Sequence, residues 1–154
     1  MKEQEKFQIS NLFVRVFNQI LAWEEQSFKT MGSSDITLRE LHVLEAVFGL
    51  IKEENNKMSE IAKYLSITPG SLTTAVNGLV KKGYLIRESK PDDRRVVLIV
   101  PTEKAVRVND IHSRIRSGMI DEVLSHSSDN GKKILFDMLG NLSDYFAEKQ
   151  NTRK

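Results

Sequence analysis

A short part of the chain, residues 66–82, carries side chains that can hydrogen-bond to the edges of nucleic-acid bases. When successive residues are placed 100° apart, as on a helix, apolar residues fall on one side and small polar residues on the other. The polar side lacks the long charged side chains that are usual on a solvent-facing helix. The apolar side contains Leu72, Val76, Leu79 and Val80, and the polar side contains Gly70, Ser71, Thr74, Asn77, Gly78 and Lys81.

These small polar side chains suit the major groove of DNA. Ser and Thr hydroxyls hydrogen-bond to several bases, an Asn amide pairs with adenine, and a Thr methyl group contacts thymine. Glycines on the same face reduce steric crowding and let the helix approach the groove wall. The alternative is that small polar residues are merely tolerated on a short exposed helix.

The charge distribution favours DNA binding over that alternative. Residues 63–100 carry seven Lys/Arg and three Asp/Glu, a net charge of +4, whereas the whole chain has a net charge of +2. A local basic excess is typical of a surface that binds a polyanion. Two of the arginines, Arg94 and Arg95, follow a turn, and an Arg at the tip of a hairpin can enter the minor groove.

The elements that position these residues can be predicted from local signals. Thr37 and Glu40 form a capping-box pattern that opens a helix, and a short helix is expected from about 59 to 65. Thr68 is an N-cap residue with Pro69 at the first helical position, and Gly83 ends this helix after about residue 82. The sequence therefore predicts three helices in helix-turn-helix order.

The pattern changes from a helical period to alternation after Gly83. The stretches "YLIRES" and "RVVLIVP" read as two strands joined by the turn "KPDD", which is a hairpin, or wing. Long helices are expected at 5–31, before the break "MGSSD", and from Thr102 to about 124. Ser128 is expected to cap a last helix, and the final residues "KQNTRK" to fray. The predicted fold is mainly α with a small β-hairpin wing.

Composition excludes several classes of function. The chain has 154 residues, 40% of them hydrophobic, and no cysteine, so disulfides, thiolate metal sites and thiol redox sensing are excluded. The N-terminal sequence "MKEQEKF" lacks a signal-peptide pattern, and we expect a cytoplasmic location. No Gly-rich phosphate loop, Gly-x-Ser-x-Gly elbow or cysteine nucleophile is present, so we do not expect an enzyme.

The positions of the histidines raise the question of a metal site. Glu24, Glu25, His42 and His112 lie on three helices that could bring them together. A tight zinc site needs three or four ligands, often two of them one helical turn apart, but Val108 occupies the position one turn before His112. We therefore predict no metal and no other cofactor, with Glu24, His42 and His112 as the candidate ligands if a metal does bind.

Taken together, these motifs resemble the MarR family of transcriptional regulators. The resemblance is carried by "TLRELHVLEAV", by "MSEIAKYLSITPGSLTTAVNGLVKKGYLIR" and by the wing "DDRRVVLIVPTEKA". It implies one domain over 1–154, with a winged helix-turn-helix block at 36–102 and dimerisation helices at 5–31 and 103–148. It also implies that Arg95, held by Asp93, enters the minor groove and that Arg87 and Arg94 contact phosphates. The predicted DNA-binding residues are Thr68, Gly70, Ser71, Thr73, Thr74, Asn77, Lys81, Arg87, Asp93, Arg94 and Arg95.

The resemblance further implies a homodimer that reads a pseudo-palindromic operator. The sequence supports a dimer separately, because its terminal helices carry more aromatic surface than a small winged-helix block can cover. The alternative is a larger monomer whose terminal helices pack on a core of their own. The aromatic residues concerned are Phe7, Phe13, Phe17, Trp23, Tyr145 and Phe146.

Within the family, the chain is similar to the Gram-positive repressors of fatty-acid synthesis genes. The similarity rests on "EEQSFKT", "LRELHVLE", "SLTTAVNGLVKKGYL", "DRRVV" and "LGNL". It implies a ligand-responsive repressor whose effector is an acyl chain on acyl carrier protein, bound in a hydrophobic pocket between the DNA-binding block and the dimerisation helices. The alternatives are a metal-responsive regulator of the same family and a winged-helix module that binds proteins.

Overall fold

The structure of the chain is a computed structural model that describes residues 3–30, 35–90 and 93–151. These residues form six helices and one two-stranded antiparallel sheet. The predicted break after the first helix, the middle of the predicted turn and the last three residues fall outside the described ranges. The elements are α1 (Glu3–Thr30), α2 (Leu38–Ile51), α3 (Met58–Leu65), α4 (Pro69–Lys81), β1 (Leu85–Lys90), β2 (Asp93–Pro101), α5 (Glu103–Ser125) and α6 (Asp129–Asn151).

The predicted helix starts and stops are confirmed. The Thr37 hydroxyl accepts a hydrogen bond from the Glu40 backbone N–H, and the Glu40 carboxylate accepts one from the Thr37 backbone N–H, which is the complete capping box. Thr68 caps α4 in the same way by accepting from the Ser71 N–H at 3.2 Å. Gly83 follows α4 with φ +76°, a left-handed conformation that glycine adopts without strain.

The core of the winged helix-turn-helix lies between α2, α3, α4 and the base of the hairpin. Leu72, Val76 and Leu79 on α4 are fully buried, as predicted, while Val80 is only partly buried and Ala75 is also in the core. The core also contains Leu41, Leu44 and Val47 on α2, with Leu38 and Phe48 at its edge, and Ile61, Ala62 and the partly buried Leu65 on α3. The polar face of α4 is therefore left outside the core.

The hairpin is attached to the helices through the loop that precedes α3. Asn56 is buried, and its side-chain N–H donates to the Ile99 backbone carbonyl at 2.8 Å. The backbone carbonyl of Asn56 accepts a second hydrogen bond from the Ile99 N–H at 2.9 Å. A bridge between Lys57 and Leu98 extends this contact. The loop thus acts as a short third strand, and it fixes the base of the wing relative to α3 and α4.

The strand pairing becomes irregular towards the tip of the wing. Ser89 pairs with Val97, but the next residue of β1, Lys90, pairs with Asp93. The three intervening residues of β2, which include Arg94 and Arg95, therefore have no register partner on β1. Such bulges redirect side chains away from the plane of a sheet.

The chain divides into two compact units, Met1–His112 and Ser113–Lys154. In the first unit, Ala105, Val108 and His112 of α5 are buried, whereas the apolar residues of α1 from Phe7 to Leu21 are exposed. In the second unit, α6 begins where Ser128 accepts from the Gly131 N–H, as predicted, and most of its apolar residues are exposed as well. No helix in the described ranges is long and apolar enough to cross a membrane.

Candidate nucleic-acid interface

The outer face of α4 presents the predicted polar residues to solvent. Thr73, Thr74, Asn77 and Lys81 are exposed, and Ser71 is half-buried. Gly70 is also exposed, and a Cβ built at this position would meet no atom within 4 Å. This face is consequently open for the close approach of another surface.

The two threonines on this face use their hydroxyl protons within the helix. Thr73 Oγ1 donates to the Pro69 carbonyl at 2.8 Å, and Thr74 Oγ1 donates to the Gly70 carbonyl at 3.1 Å. Because a carbonyl can only accept, each hydroxyl must be the donor in these bonds. What remains for a partner is the lone pairs of the two oxygens and the two methyl groups, so these residues can accept hydrogen bonds and make apolar contacts.

Asn77 is linked to the hairpin by an arginine. Arg87 Nη2 on β1 donates to Asn77 Oδ1 on α4 at 2.6 Å, and both side chains are exposed. The sequence prediction assigned Arg87 to phosphate contact and did not include this bond. The structure thus brings a predicted base-contacting residue and a predicted phosphate-contacting residue together across ten positions of the chain.

At the tip of the wing, Asp93 holds the backbone of Arg95. Its Oδ1 accepts from the Arg95 N–H at 3.0 Å and lies 3.5 Å from Arg95 Nε. The Arg95 side chain is 95% exposed, and Arg94 beside it is exposed as well. This is the Asp–Arg contact expected from the family resemblance, and the arginine projects from the bulge into solvent.

Gly78 has a different surrounding from the one expected. It is half-buried, and a Cβ at this position would lie 2.6 Å from Glu40 Oε1 on α2. The glycine therefore makes room for a carboxylate inside the protein. This contact explains why position 78 is a glycine, and close approach to a DNA groove is not needed to explain it. From sequence alone this role was hidden, because the 100° wheel places Gly78 on the polar face, between Thr74 and Ser71.

Glu40 joins the start of α2 to the end of α4. Its carboxylate accepts from Lys82 Nζ at 2.7 and 2.9 Å in addition to the Thr37 contacts, and the residue is 7% exposed. Burial by itself raises the pKa of this carboxyl, but the hydrogen bonds from Lys82 and Thr37 together hold its pKa below the ordinary 4.5. Glu40 is consequently an ionised, buried connection between the two helices.

A second polar cluster connects the wing to α5. Asp35 accepts from the Tyr84 hydroxyl at 2.6 Å and from Lys104 Nζ at 2.7 Å, and Lys104 lies 4.0 Å above the centre of the Tyr84 ring. The hydrogen bonds from Lys104 and Tyr84 lower the pKa of Asp35, and burial, together with the bond to Asp35, raises the pKa of Tyr84. These residues are far apart in the sequence, which explains why sequence analysis missed the cluster.

The candidate metal ligands form two separate pairs. His42 Nε2 lies 3.4 Å from Glu24 Oε2, while the fully buried His112 has its Nδ1 2.7 Å from Glu45 Oε1. Glu25 is exposed and pairs with Lys29. Within residues 3–30, 35–90 and 93–151, no group of three or more His, Cys, Asp or Glu could hold a metal ion.

Glu45 was not among the sequence candidates. Its only sequence signal is its place three residues after His42, which puts both on neighbouring positions of one helix. Its contact with His112 ties α2 to α5 within the first compact unit.

Comparison with known proteins gives a consistent family. Residues 36–97 match the sequence profile of the MarR family. The uncharacterized HTH-type transcriptional regulator YcgE of Bacillus subtilis (strain 168) is 30% identical over 91 residues, which are 58% of this chain and 58% of that protein. The HTH-type transcriptional regulator MhqR of the same organism is 32% identical over 101 residues, which are 65% of this chain and 67% of that protein. The chain thus spans less than two thirds of the length of YcgE.

The fold also matches a solved structure of a DNA complex. Streptococcus pneumoniae FabT in complex with DNA superimposes with a TM-score of 0.76 at 28% identity, and the match covers 93% of this chain and 98% of FabT. The predicted mainly helical winged fold is thereby confirmed. The relatives are transcriptional regulators, which also confirms the prediction that the chain is not an enzyme.

Proposed function

Because the chain belongs to the MarR family, we propose that it is a sequence-specific DNA-binding repressor of transcription that acts as a homodimer on a pseudo-palindromic operator. The observation that carries this proposal is the pairing of the exposed polar face of α4 with a basic hairpin, joined by the bond between Arg87 and Asn77. In this arrangement α4 enters the major groove and the wing reaches the adjacent minor groove.

Each part of the surface has the chemistry that its groove requires. Thr73, Thr74 and Asn77 are short side chains that can approach base edges, and Lys81 is an exposed cation for the backbone phosphates. Arg95 is an almost fully exposed cation on the wing, and it suits a narrow minor groove, where the potential is most negative. Thr68, Ser71 and Gly70 line the N-terminal end of α4, where backbone N–H groups attract a phosphate.

A homodimer is supported by the exposed apolar surface of the terminal helices. Phe7, Phe13 and Phe17 on α1 are 67%, 48% and 55% exposed, and Tyr145 and Phe146 on α6 are 53% and 50% exposed. Several large apolar side chains exposed on one helix mark an interaction site, and this holds for each of the two helices. Two copies related by a two-fold axis would present two α4 helices to half-sites about one helical turn apart.

The effector that we propose is a long acyl chain carried on acyl carrier protein, acting as a corepressor. This follows from the sequence similarity to the repressors of fatty-acid synthesis genes. Operator affinity should rise when long-chain acyl carrier protein is added, and the carrier protein without an acyl group is the control. A fall in affinity would contradict the corepressor role.

The DNA-binding function is tested by selecting bound fragments from genomic DNA and measuring affinity for the selected operator at several salt concentrations. Phosphate contacts release counterions, so affinity should fall steeply as salt rises. Arg95→Ala should weaken operator binding roughly tenfold. The matched control is Arg107→Ala on α5, whose side chain is also exposed and lies 3.9 Å from the Glu103 carboxylate. Equal binding by the two variants would contradict the role of the wing.

A further inference from the structure

The hydrogen bond between Arg87 and Asn77 affects which base pair the protein can select. We propose that Arg87 is a positioning residue that fixes the orientation of the Asn77 side-chain amide, and that it thereby sets the base pair that Asn77 selects. This inference rests on the proposed DNA-binding function. It assigns Arg87 a role in specificity, in addition to the phosphate contact that any exposed arginine can make.

The orientation of the amide follows from the chemistry of the two groups. A guanidinium carries five N–H donors and no acceptor, so the atom of Asn77 that faces it at 2.6 Å must be the carbonyl oxygen. The usual ambiguity between the oxygen and nitrogen of an amide is therefore absent here. The positive charge of the donor also makes this bond stronger than one between neutral groups.

Arg87 is itself held in place by the sheet. It is the register partner of Ile99, and partners in an antiparallel pair project to the same face. Ile99 is fully buried, and both its backbone N–H and its backbone carbonyl form hydrogen bonds with the buried Asn56. The strand that carries Arg87 is consequently anchored to the helix-turn-helix, and the guanidinium reaches Asn77 from a fixed point.

With its oxygen turned to the wing, Asn77 offers its two amide N–H groups to DNA. A free Asn reads adenine by accepting and donating at the same time, whereas an Asn positioned by Arg87 acts as a donor to purine N7, guanine O6 or thymine O4. Thr74, one turn earlier, offers an acceptor oxygen and a methyl group because its proton is used within the helix. The face of α4 thus has acceptors near its N-terminal half and donors near its C-terminal half.

The experiment measures binding to a set of operators in which every position carries each of the four base pairs. Asn77→Ala first identifies the position at which the wild-type preference is lost. The wild type should discriminate about tenfold at that position, and Arg87→Ala should shift the preference there towards adenine, which a free Asn reads by accepting and donating at once. The double variant should behave like Asn77→Ala at that position, because Arg87 acts there only through Asn77.

Arg94→Ala is the matched control, since it removes an exposed arginine of the wing that forms no hydrogen bond or ion pair within the described part of the chain. It should weaken all operators by a similar factor and leave the preference at the Asn77 position intact. The proposal is overturned if Arg87→Ala behaves like Arg94→Ala, or if Asn77→Ala changes no preference. If the wild-type protein shows no sequence-dependent DNA binding, the proposed function itself fails, and the inference fails with it.

Asn77→Asp separates amide orientation from loss of the side chain. Aspartate keeps an oxygen for Arg87 but replaces the outward N–H groups with an acceptor. The preferred base pair should shift towards one that offers an N–H donor, adenine N6 or cytosine N4, at the position found with Asn77→Ala. An unchanged preference would show that the N–H groups of Asn77 do not contact a base.

Discussion

At the scale of single residues, Gly78 illustrates how a position on the polar face of the recognition helix serves the interior. A Cβ there would lie 2.6 Å from Glu40 Oε1, and that oxygen is not free to move because its carboxylate is bonded to Lys82 and Thr37. Gly78→Ala should lower the free energy of unfolding by about 1–3 kcal/mol, as expected for a residue too large for its site. Urea unfolding of the variant and the wild type gives this difference directly.

Gly70 provides the control for that substitution, because it lies on the same helix and a Cβ at position 70 would meet no atom within 4 Å. Gly70→Ala should leave stability unchanged or raise it by up to about 1 kcal/mol, since alanine is the better helix former. If both variants lose the same stability, the contact with Glu40 is not the reason for the glycine at position 78.

The ionised state of Glu40 predicts how stability depends on pH. The pKa of Glu40 in the folded protein lies below the ordinary value of 4.5. Its contribution to the free energy of unfolding is therefore fully present above the unfolded pKa and is lost as the pH falls through the folded pKa. Glu40→Gln should therefore be less stable than the wild type at pH 7, and the difference should shrink as the pH falls below the ordinary value of 4.5 and through the lowered folded pKa. Urea unfolding from about pH 3 to pH 7 at one protein concentration measures it; a difference that stays constant over this range would contradict the prediction.

At the scale of elements, local signals in the sequence were sufficient to place most helices and strands. The capping box of α2, the Thr68–Pro69 start of α4 and the Gly83 stop depend on a few neighbouring residues, and all three are confirmed. The division of α4 into an apolar and a polar face could be predicted for the same reason, because it follows from helical geometry.

The contacts between elements could not be predicted from such signals. Arg87 and Asn77 are ten residues apart, Glu40 and Lys82 are 42 apart, and His112 and Glu45 are 67 apart. Each pair depends on how two elements pack, and one sequence without an alignment carries no signal for this. Sequence reasoning therefore found which residues face outward from α4, but it missed the bonds that orient them.

The attachment of the wing is a testable property of the elements. Asn56→Ala removes the bond from the buried amide to the Ile99 carbonyl, and this should cost about 1–3 kcal/mol because the carbonyl is left without its partner. DNA affinity should fall as well, since the strand that carries Arg87 is less firmly placed. Thermal or urea unfolding and operator binding are the two measurements.

Asn55→Ala is the control for the wing, because Asn55 is adjacent and its hydrogen bond to the Leu50 carbonyl uses the backbone N–H, which alanine retains. This variant should be close to the wild type in both measurements. Loss of stability in Asn56→Ala with full operator affinity would show that the wing does not need this anchor for binding.

At the scale of the whole molecule, the exposed apolar surface of α1 is the contact that we propose for the homodimer. Phe13, Phe17 and Ile20 are each between 44% and 55% exposed and lie at helical spacing, so they form one stripe on the helix. A charged residue in the middle of this stripe would have to be buried without a partner on association, at a cost of several kcal/mol. Phe17→Glu should therefore convert the proposed dimer to monomers at micromolar concentration, as measured by sedimentation equilibrium.

Phe17→Glu also separates dimerisation from DNA binding, because α1 is distant in sequence from α4 and the wing. A monomer keeps one recognition helix, so it should bind a single half-site but lose the added affinity of a two-site contact. Tyr64→Glu is the control, since Tyr64 is 62% exposed on α3, within the helix-turn-helix, and this variant should stay dimeric. If Phe17→Glu sediments as the wild type does, α1 does not form the dimer contact. If both the wild type and the variant are monomers whose melting temperature is independent of concentration, the chain covers this stripe in some other way and the two-fold reading of the operator fails.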